Sequence, residues 1–79
     1  MLLKEILMVT ECSTKIAITK SKSMLWDSST EELVSWNKDI FQLEKDDDVK
    51  ELLECKVIGI TVESNGILHI AVCKEVNNE

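Results

Sequence analysis

Hydrophobic residues recur along this chain at two different periods, and the change of period separates the predicted elements. Near the start, apolar residues at helical spacing predict a short amphipathic helix over Leu2–Val9. From Thr14 onward apolar and polar residues alternate, which predicts one long strand, or two short strands broken near Lys20–Ser23. The large apolar residues that share this strand parity are Ile16, Ile18, Met24 and Trp26.

The segment after this alternation predicts a hairpin. Asp27–Thr30 consists of turn-forming residues and would form its tip. Glu32–Trp36 then returns as a second strand, since Val34 and Trp36 are residue types that favour strands. A helix is the alternative for this segment, because Ser29 begins a capping-box pattern. We favour the strand.

The middle of the chain predicts short helical pieces. Asp39–Leu43 is expected to form a turn or a single helical turn that buries Ile40, Phe41 or Leu43. Three consecutive aspartates then precede apolar residues at helical spacing, which predicts a second short helix over Asp47–Glu54. Acids suit a helix start because they accept backbone N–H bonds and offset the positive end of the helix dipole.

The last third predicts a second hairpin. Val57–Val62 and Ile67–Cys73 each alternate as strands, and Asn65-Gly66 between them is a strong hairpin signal. The two apolar sets face each other only across a three-residue loop with Gly66 in a left-handed conformation, since a two-residue loop would place His69 opposite an apolar residue. The predicted cross-strand pairs are Val62 with Leu68 and Ile60 with Ile70.

These elements predict an α+β fold for residues 1–79, which are too few for more than one domain. The order helix, strand, strand, helix, strand, strand assembles most simply as a sheet of about four antiparallel strands with two short helices on one face. The residues after Cys73 are expected to form a frayed tail. A sheet of this kind has two edge strands, and an unprotected edge can accept a strand from a partner.

Charge narrows the class of partner. Nine lysines, no arginine and 15 acids give a formal net charge of −6, and the acids concentrate in the middle of the chain. This sign opposes binding to nucleic acid, and the residue type best suited to forked recognition of phosphate is absent. We therefore expect a protein partner with a basic surface, with no direct contact to nucleic acid.

The residues that carry chemistry are few and poorly spaced for catalysis. Cys12, Cys55 and Cys73 form no close pair of the kind that builds a zinc site or a disulfide framework. The one histidine, His69, lies mid-strand and is expected to be a half-exposed sheet residue, although a cysteine partner in space stays open. We expect no enzyme, no metal and no cofactor. The start of the chain lacks a secretory pattern and no segment predicts a membrane span, so we expect a cytoplasmic protein.

Several segments resemble small uncharacterised proteins of phages and prophages from low-GC Gram-positive bacteria. The similarity covers nearly the whole chain and departs from the pattern at Lys20–Glu32. It implies no catalytic residues. The matching segments are Leu2–Glu11, Thr14–Thr19, Leu33–Trp36, Lys38–Ile40, Leu52–Ile60 and Ile67–Val72.

Small acidic phage proteins include anti-CRISPR inhibitors, several of which look like nucleic-acid mimics that occupy a basic groove. The likeness is one of size and charge, and it implies a non-catalytic inhibitor of a host nucleic-acid-processing complex in the bacterial cytoplasm. The alternative is a structural or self-assembling phage accessory protein, including a homodimer. Beside the polar turn, Trp26 follows Met24-Leu25 and forms an apolar candidate contact. The acidic residues expected to bind the partner are Glu44, Asp46, Asp47, Asp48, Glu51 and Glu54.

Overall fold

The structure of the chain is a computed structural model that describes residues 1–22 and 31–73. The predicted tip of the first hairpin, the predicted contact residue Trp26 and the segment from residue 74 onward lie outside the described residues. In chain order the elements are α1 Leu3–Val9, β1 Ile16–Ser21, β2 Glu31–Lys38, α2 Ile40–Glu44, α3 Asp47–Lys50, β3 Lys56–Val62 and β4 Leu68–Cys73.

The fold is α+β, as predicted, but its four-stranded sheet is mixed rather than antiparallel. The strand order is β2-β1-β4-β3; β1 pairs antiparallel with β2, β3 pairs antiparallel with β4, and the two central strands β1 and β4 are parallel. The reason is the connection formed by residues 39–55. This connection crosses one face of the sheet as α2 and α3 and returns the chain to the end of the sheet at which β2 begins. β3 therefore runs in the same direction as β2, and β4, which is antiparallel to β3, is parallel to β1.

The element order also differs from the prediction, because the segment Asp39–Leu43, for which a turn or a single helical turn was expected, contributes a separate short helix, α2, to the order. Asp39 caps α2 reciprocally: its Oδ1 accepts from the N–H of Gln42 at 2.9 Å, and its own N–H donates to the Gln42 side chain at 3.1 Å. This is a capping box built from Asp and Gln. The second helix starts at Asp47 as predicted, but it ends at Lys50, and residues 51–54 form turns instead of continuing it.

The core lies between the sheet and the three helices. Ile18 of β1 and Ile70 of β4 are fully buried at the centre of the sheet, and Leu43 of α2 covers them, while Phe41 on the same helix is 60% exposed. The opposite face of the two central strands carries small residues that are also buried. The remaining members of the buried core cluster are Leu3, Ile6, Ile16, Val49, Leu52 and Val72.

The second hairpin has the predicted register. Val62 pairs with Leu68 and Ile60 pairs with Ile70. The loop has three residues between the closing pair, and Gly66 adopts φ 86°, the left-handed conformation that the prediction required. Alternation and the turn residues therefore determined this hairpin locally.

The strand prediction for Glu32–Trp36 is confirmed, since these residues lie within β2. The pairing of β1 with β2 is nevertheless irregular, with two shifts of register between Ile16 and Thr19. Asn37 adopts φ 58°, a conformation that few residues other than glycine accept. None of the helices in residues 1–22 and 31–73 is long and apolar enough to span a membrane.

Candidate functional site

The six acidic residues expected to bind a partner lie between the end of α2 and the start of β3. Five of them are exposed, and Asp46 is half-buried because it caps α3. Residues 44–54 hold these six carboxylates and two lysines. Lys4 of α1 and Lys38 of β2 also pair with carboxylates of this segment. The six carboxylates and the four lysines together carry a net charge of −2.

Within the described residues, Asp46, Asp47 and Glu54 form ion pairs with lysines of the chain itself. Glu54 pairs with Lys4 at 2.6 Å, and Asp47 pairs with Lys50 at 3.7 Å. The third pair, between Asp46 and Lys38, joins α3 to β2 at 3.2 Å. The side chains of Asp47 and Glu54 are 93% and 73% exposed. Exposed pairs of this kind contribute at most about 1 kcal/mol, so a stronger basic partner can displace them.

Two of these ion pairs shift a pKa. The hydrogen bond and the charge of Glu54 hold the pKa of Lys4 above its ordinary value. Burial acts to raise the pKa of Asp46, but the hydrogen bonds from Lys38 and from the backbone N–H groups of Asp48 and Val49 outweigh it. The pKa of Asp46 therefore lies below its ordinary value, and this carboxylate is charged at neutral pH.

The acidic residues do not form one continuous surface. Glu44 faces a groove between the helices. Asp48 and Glu51 instead line a smaller polar hollow between α3 and β2, which is also lined by Lys20 and Glu32. The division falls between the two helices, because Glu44 ends α2, whereas Asp48 lies in α3 and Glu51 directly follows it.

An apolar groove lies between α1 on one side and α2 and α3 on the other. Its volume is about 480 Å³, within the range of ligand-binding clefts. The surface of the groove is almost entirely apolar, although three of its eight lining residues are charged. Met8 of α1 also lines the groove and is 82% exposed. The groove is lined by Lys4, Leu7, Met8, Ile40, Leu43, Glu44, Lys50 and Leu53.

The sequence prediction missed this groove, although α1 carries a signal for it. Five of the seven residues of α1 are apolar, more than one buried stripe requires. Leu3 and Ile6 are buried in the core, which leaves Leu7, Met8 and Val9 on the remaining surface. The other wall comes from residues more than 30 positions away, so only the fold brings the two sides together.

His69 is held in a chain of hydrogen bonds on the face of the sheet opposite the helices. Its Nδ1 lies 3.0 Å from a carboxylate oxygen of Glu63, and its Nε2 lies 2.5 Å from Oγ1 of Thr19. Carboxylate, imidazole and hydroxyl stand in the order found in hydrolytic triads. Thr19 is only 2% exposed, however, so a substrate carbonyl does not reach its hydroxyl. The arrangement links β1 to the second hairpin.

The cysteines and the other candidate ligands add no site. Cys12 is exposed, Cys55 is half-buried and Cys73 is buried. Within the described ranges no group of His, Cys, Asp and Glu side chains is placed to hold a metal ion.

Comparison with known proteins gave no match to any protein-family model, curated protein or solved structure. The resemblance to phage proteins therefore stays a prediction. The groove and the charges around it are the features from which a function is proposed.

Proposed function

We propose that this chain is a non-catalytic protein-binding domain, and that the groove between α1, α2 and α3 receives an apolar segment of a partner protein. The observation that carries the proposal is the groove itself: an apolar cleft of about 480 Å³ with the exposed side chain of Met8 at its rim. Exposed apolar surface that is rimmed by polar residues is typical of interaction sites.

The charge around the groove favours a basic segment. Glu44 stands at the rim, and the two rim lysines, Lys4 and Lys50, are already paired with the carboxylates of Glu54 and Asp47. Together these five residues carry a surplus of one negative charge, within a chain of net charge −6. A helical segment with leucines on one face and lysines or arginines beside them matches both features.

The most specific form of the proposal is an inhibitor of a bacterial nucleic-acid-processing complex, whose acidic residues compete with nucleic acid for a basic surface. Glu44 and Asp48 are exposed and make no ion pair with any residue of the described ranges, so they can pair directly with a partner. Asp47 and Glu54 can do so by exchanging their lysines for the partner's, since surface ion pairs are weak.

A pair of defined peptides tests the groove. We expect an amphipathic leucine/lysine helical peptide to bind the chain and to shift the NMR resonances of residues that line the groove. A leucine/glutamate peptide of the same length should not bind. Met8→Lys should weaken binding of the basic peptide by about tenfold, because it places a charge at the mouth of the groove. Val9→Lys is the matched control.

Met8 and Val9 are neighbours on α1 with exposures of 82% and 84%, but only Met8 lines the groove. Binding should therefore survive Val9→Lys. Equal loss in both variants, or failure of both peptides to bind, would contradict the proposal. Resonance shifts with a small apolar molecule but with neither peptide would assign the groove to a small ligand and contradict a protein partner.

Charge reversal tests the acidic competitor. Asp46 is unsuitable for this purpose, because it caps α3 and its replacement would disturb the helix. Glu44→Lys combined with Asp48→Lys changes two exposed carboxylates without removing a cap. Capture from a bacterial host should retain a nucleic-acid-processing complex on the wild-type chain, lose it on the double variant, and show weaker retention as salt rises. Retention by the double variant would exclude the competitor.

A further inference from the structure

β3 is an edge strand whose pairing with β4 is regular from Gly59 to Val62 and shifts register once, between Val57 and Gly59. The regular part carries exposed apolar side chains. Ile60 and Val62 on this strand are 50% and 67% exposed. The N–H of Glu63 donates to the carbonyl oxygen of Ile67 at 2.9 Å and closes the hairpin as a hydrogen-bonded pair. Since hydrogen-bonded and non-hydrogen-bonded pairs alternate in an antiparallel ladder, Val62 and Ile60 stand in non-hydrogen-bonded pairs with β4. Their backbone N–H and C=O groups therefore point outward.

The opposite strand confirms this direction. The N–H of Leu68, the partner of Val62, donates to the carbonyl of Lys15 at 2.9 Å and so points toward β1 instead of β3. Within residues 1–22 and 31–73, no backbone hydrogen bond is seen from the outward groups of Ile60 and Val62. The same two residues thus present exposed apolar side chains together with backbone groups that no described residue pairs.

The beginning of β3 is already covered by the start of the chain. Leu2 forms an antiparallel bridge with Lys56, and the N–H of Val57 donates to the carbonyl of Met1 at 2.8 Å. An added strand therefore has access only from about residue 58 to residue 63. This limit selects among the registers in which a partner can pair.

We propose that β3 pairs with β3 of a second copy of this chain, antiparallel, about a twofold axis at Thr61. In this register Ile60 of one copy forms a hydrogen-bonded pair with Val62 of the other, and symmetry repeats the pair. The four outward-pointing residues are then all paired. Their side chains form one apolar cluster on the helical face of a continuous eight-stranded sheet, as isologous association requires.

The adjacent register fails for a steric reason. A twofold axis at Ile60 would set Glu63 of the second copy opposite Val57, where Met1 already occupies the edge. With the axis at Thr61, Glu63 falls opposite Gly59, which has no side chain to obstruct it. No two like charges then lie directly opposite each other, although each copy carries a net charge of −6.

The other edge, β2, is unsuited to the same pairing. It has two register shifts, the left-handed Asn37, and charged residues at both ends, all of which are features that protect an edge strand. None of the residues that line the groove lies on β3. Self-association at β3 is therefore independent of binding at the groove, and either proposal can fail without the other.

Sedimentation equilibrium over a range of concentrations tests the dimer. The apparent mass should rise from the 9.0 kDa of one chain to twice that value. Val62→Lys should keep the chain monomeric at every concentration, because a charged residue on an edge opposes strand addition. Leu33→Lys on β2 is the matched control, since Leu33 is 57% exposed on the other edge, and it should dimerise like the wild type.

A cross-link tests the register. Thr61 would face its symmetry mate as a non-hydrogen-bonded pair with Cα atoms about 4.5 Å apart, within the range that a disulfide spans. In a Cys12→Ser background, mild oxidation should convert Thr61→Cys into a covalent dimer, whereas Leu33→Cys should stay largely monomeric. A constant mass of one chain, dimerisation of Val62→Lys, or equal cross-linking of both cysteine variants would overturn the proposal.

Discussion

Among the described residues, each of the two hairpins contains one residue with positive φ, but the two residues are placed differently. In the hairpin of β3 and β4 it is Gly66, within the loop, and the pairs from Val62 to Gly59 keep their register. In the hairpin of β1 and β2 it is Asn37, inside the strand, and the register shifts nearby. The left-handed residue in the turn leaves the pairs next to it regular, whereas the one within the strand accompanies a distorted edge that resists pairing.

The hairpins also differ in how deeply their strands are buried in the core. Substitutions that test this difference should have the largest effect on the free energy of unfolding. Ile70 of β4 is fully buried between Ile18 and Ile60, whereas Val34 of β2 is only half-buried against the core. Ile70→Ala should lower the free energy of unfolding by about 3 kcal/mol, from lost transfer free energy and a residual cavity. Val34→Ala should cost about 1 kcal/mol. Urea unfolding measures both, and equal losses would contradict the comparison.

The left-handed residues test the comparison directly. Gly66→Ala should reduce stability by about 1–2 kcal/mol, because only glycine adopts φ 86° without a steric penalty. An added Cβ would meet no atom within 4 Å, so the cost comes from the backbone alone. Asn37→Gly should cost nothing or stabilise slightly, since it relieves a conformation that asparagine merely tolerates. Thermal unfolding of the two variants should shift in opposite directions, or by very different amounts.

The same contrast explains how much of the molecule was predictable from its sequence. The second hairpin depends on alternation and on Asn65-Gly66, which lie within a few residues of each other, so its register and its loop were predicted correctly. The parallel pairing of β1 with β4 depends on the path of residues 39–55 and is not encoded in either strand. The sequence predicted four strands but not how the two hairpins would be joined.

The candidate site was less predictable for a related reason. The acidic residues were identified from composition, but one of their neutralising partners comes from a distant position: Lys4 lies 50 residues from Glu54. The link between His69 and Thr19 also spans 50 residues. Sequence spacing indicates which residues share a helix face or a strand face. It does not indicate which charged side chains meet across the fold.

A buried hydroxyl in the irregular hairpin gives a smaller effect. Ser35 of β2 is 4% exposed, and its Oγ makes no hydrogen bond with any described residue. Burying an unpaired hydroxyl is unfavourable, so Ser35→Ala should raise the free energy of unfolding by about 1 kcal/mol. Ser35→Thr is the control, because it retains the hydroxyl and adds a methyl group. Destabilisation by Ser35→Ala in urea unfolding would indicate that the hydroxyl is paired.

The smallest expected effect is the pH dependence that Asp46 contributes at the junction of α3 and β2. Its pKa is lowered in the folded chain, so its contribution is present above the ordinary value of 3.8 and disappears as the pH falls through the lower, folded-state value. Asp46→Asn retains a good helix cap but removes the charge that pairs with Lys38. It should therefore cost only about 0.5 kcal/mol at pH 7, because the ion pair is partly exposed.

The variants at this position separate the cap from the charge. The difference between the wild type and Asp46→Asn should shrink in unfolding experiments as the pH falls below 3.8. It should vanish once the pH is below the folded-state pKa of Asp46, where the wild-type carboxylate is protonated as well. Asp46→Ala should cost about 1 kcal/mol more than Asp46→Asn at either pH, because it also removes the acceptor for the N–H of Asp48. If the difference in the free energy of unfolding between the wild type and Asp46→Asn persisted unchanged in acid, Asp46 would stabilise α3 as a cap alone. The ion pair with Lys38 would then not stabilise the packing of α3 against β2.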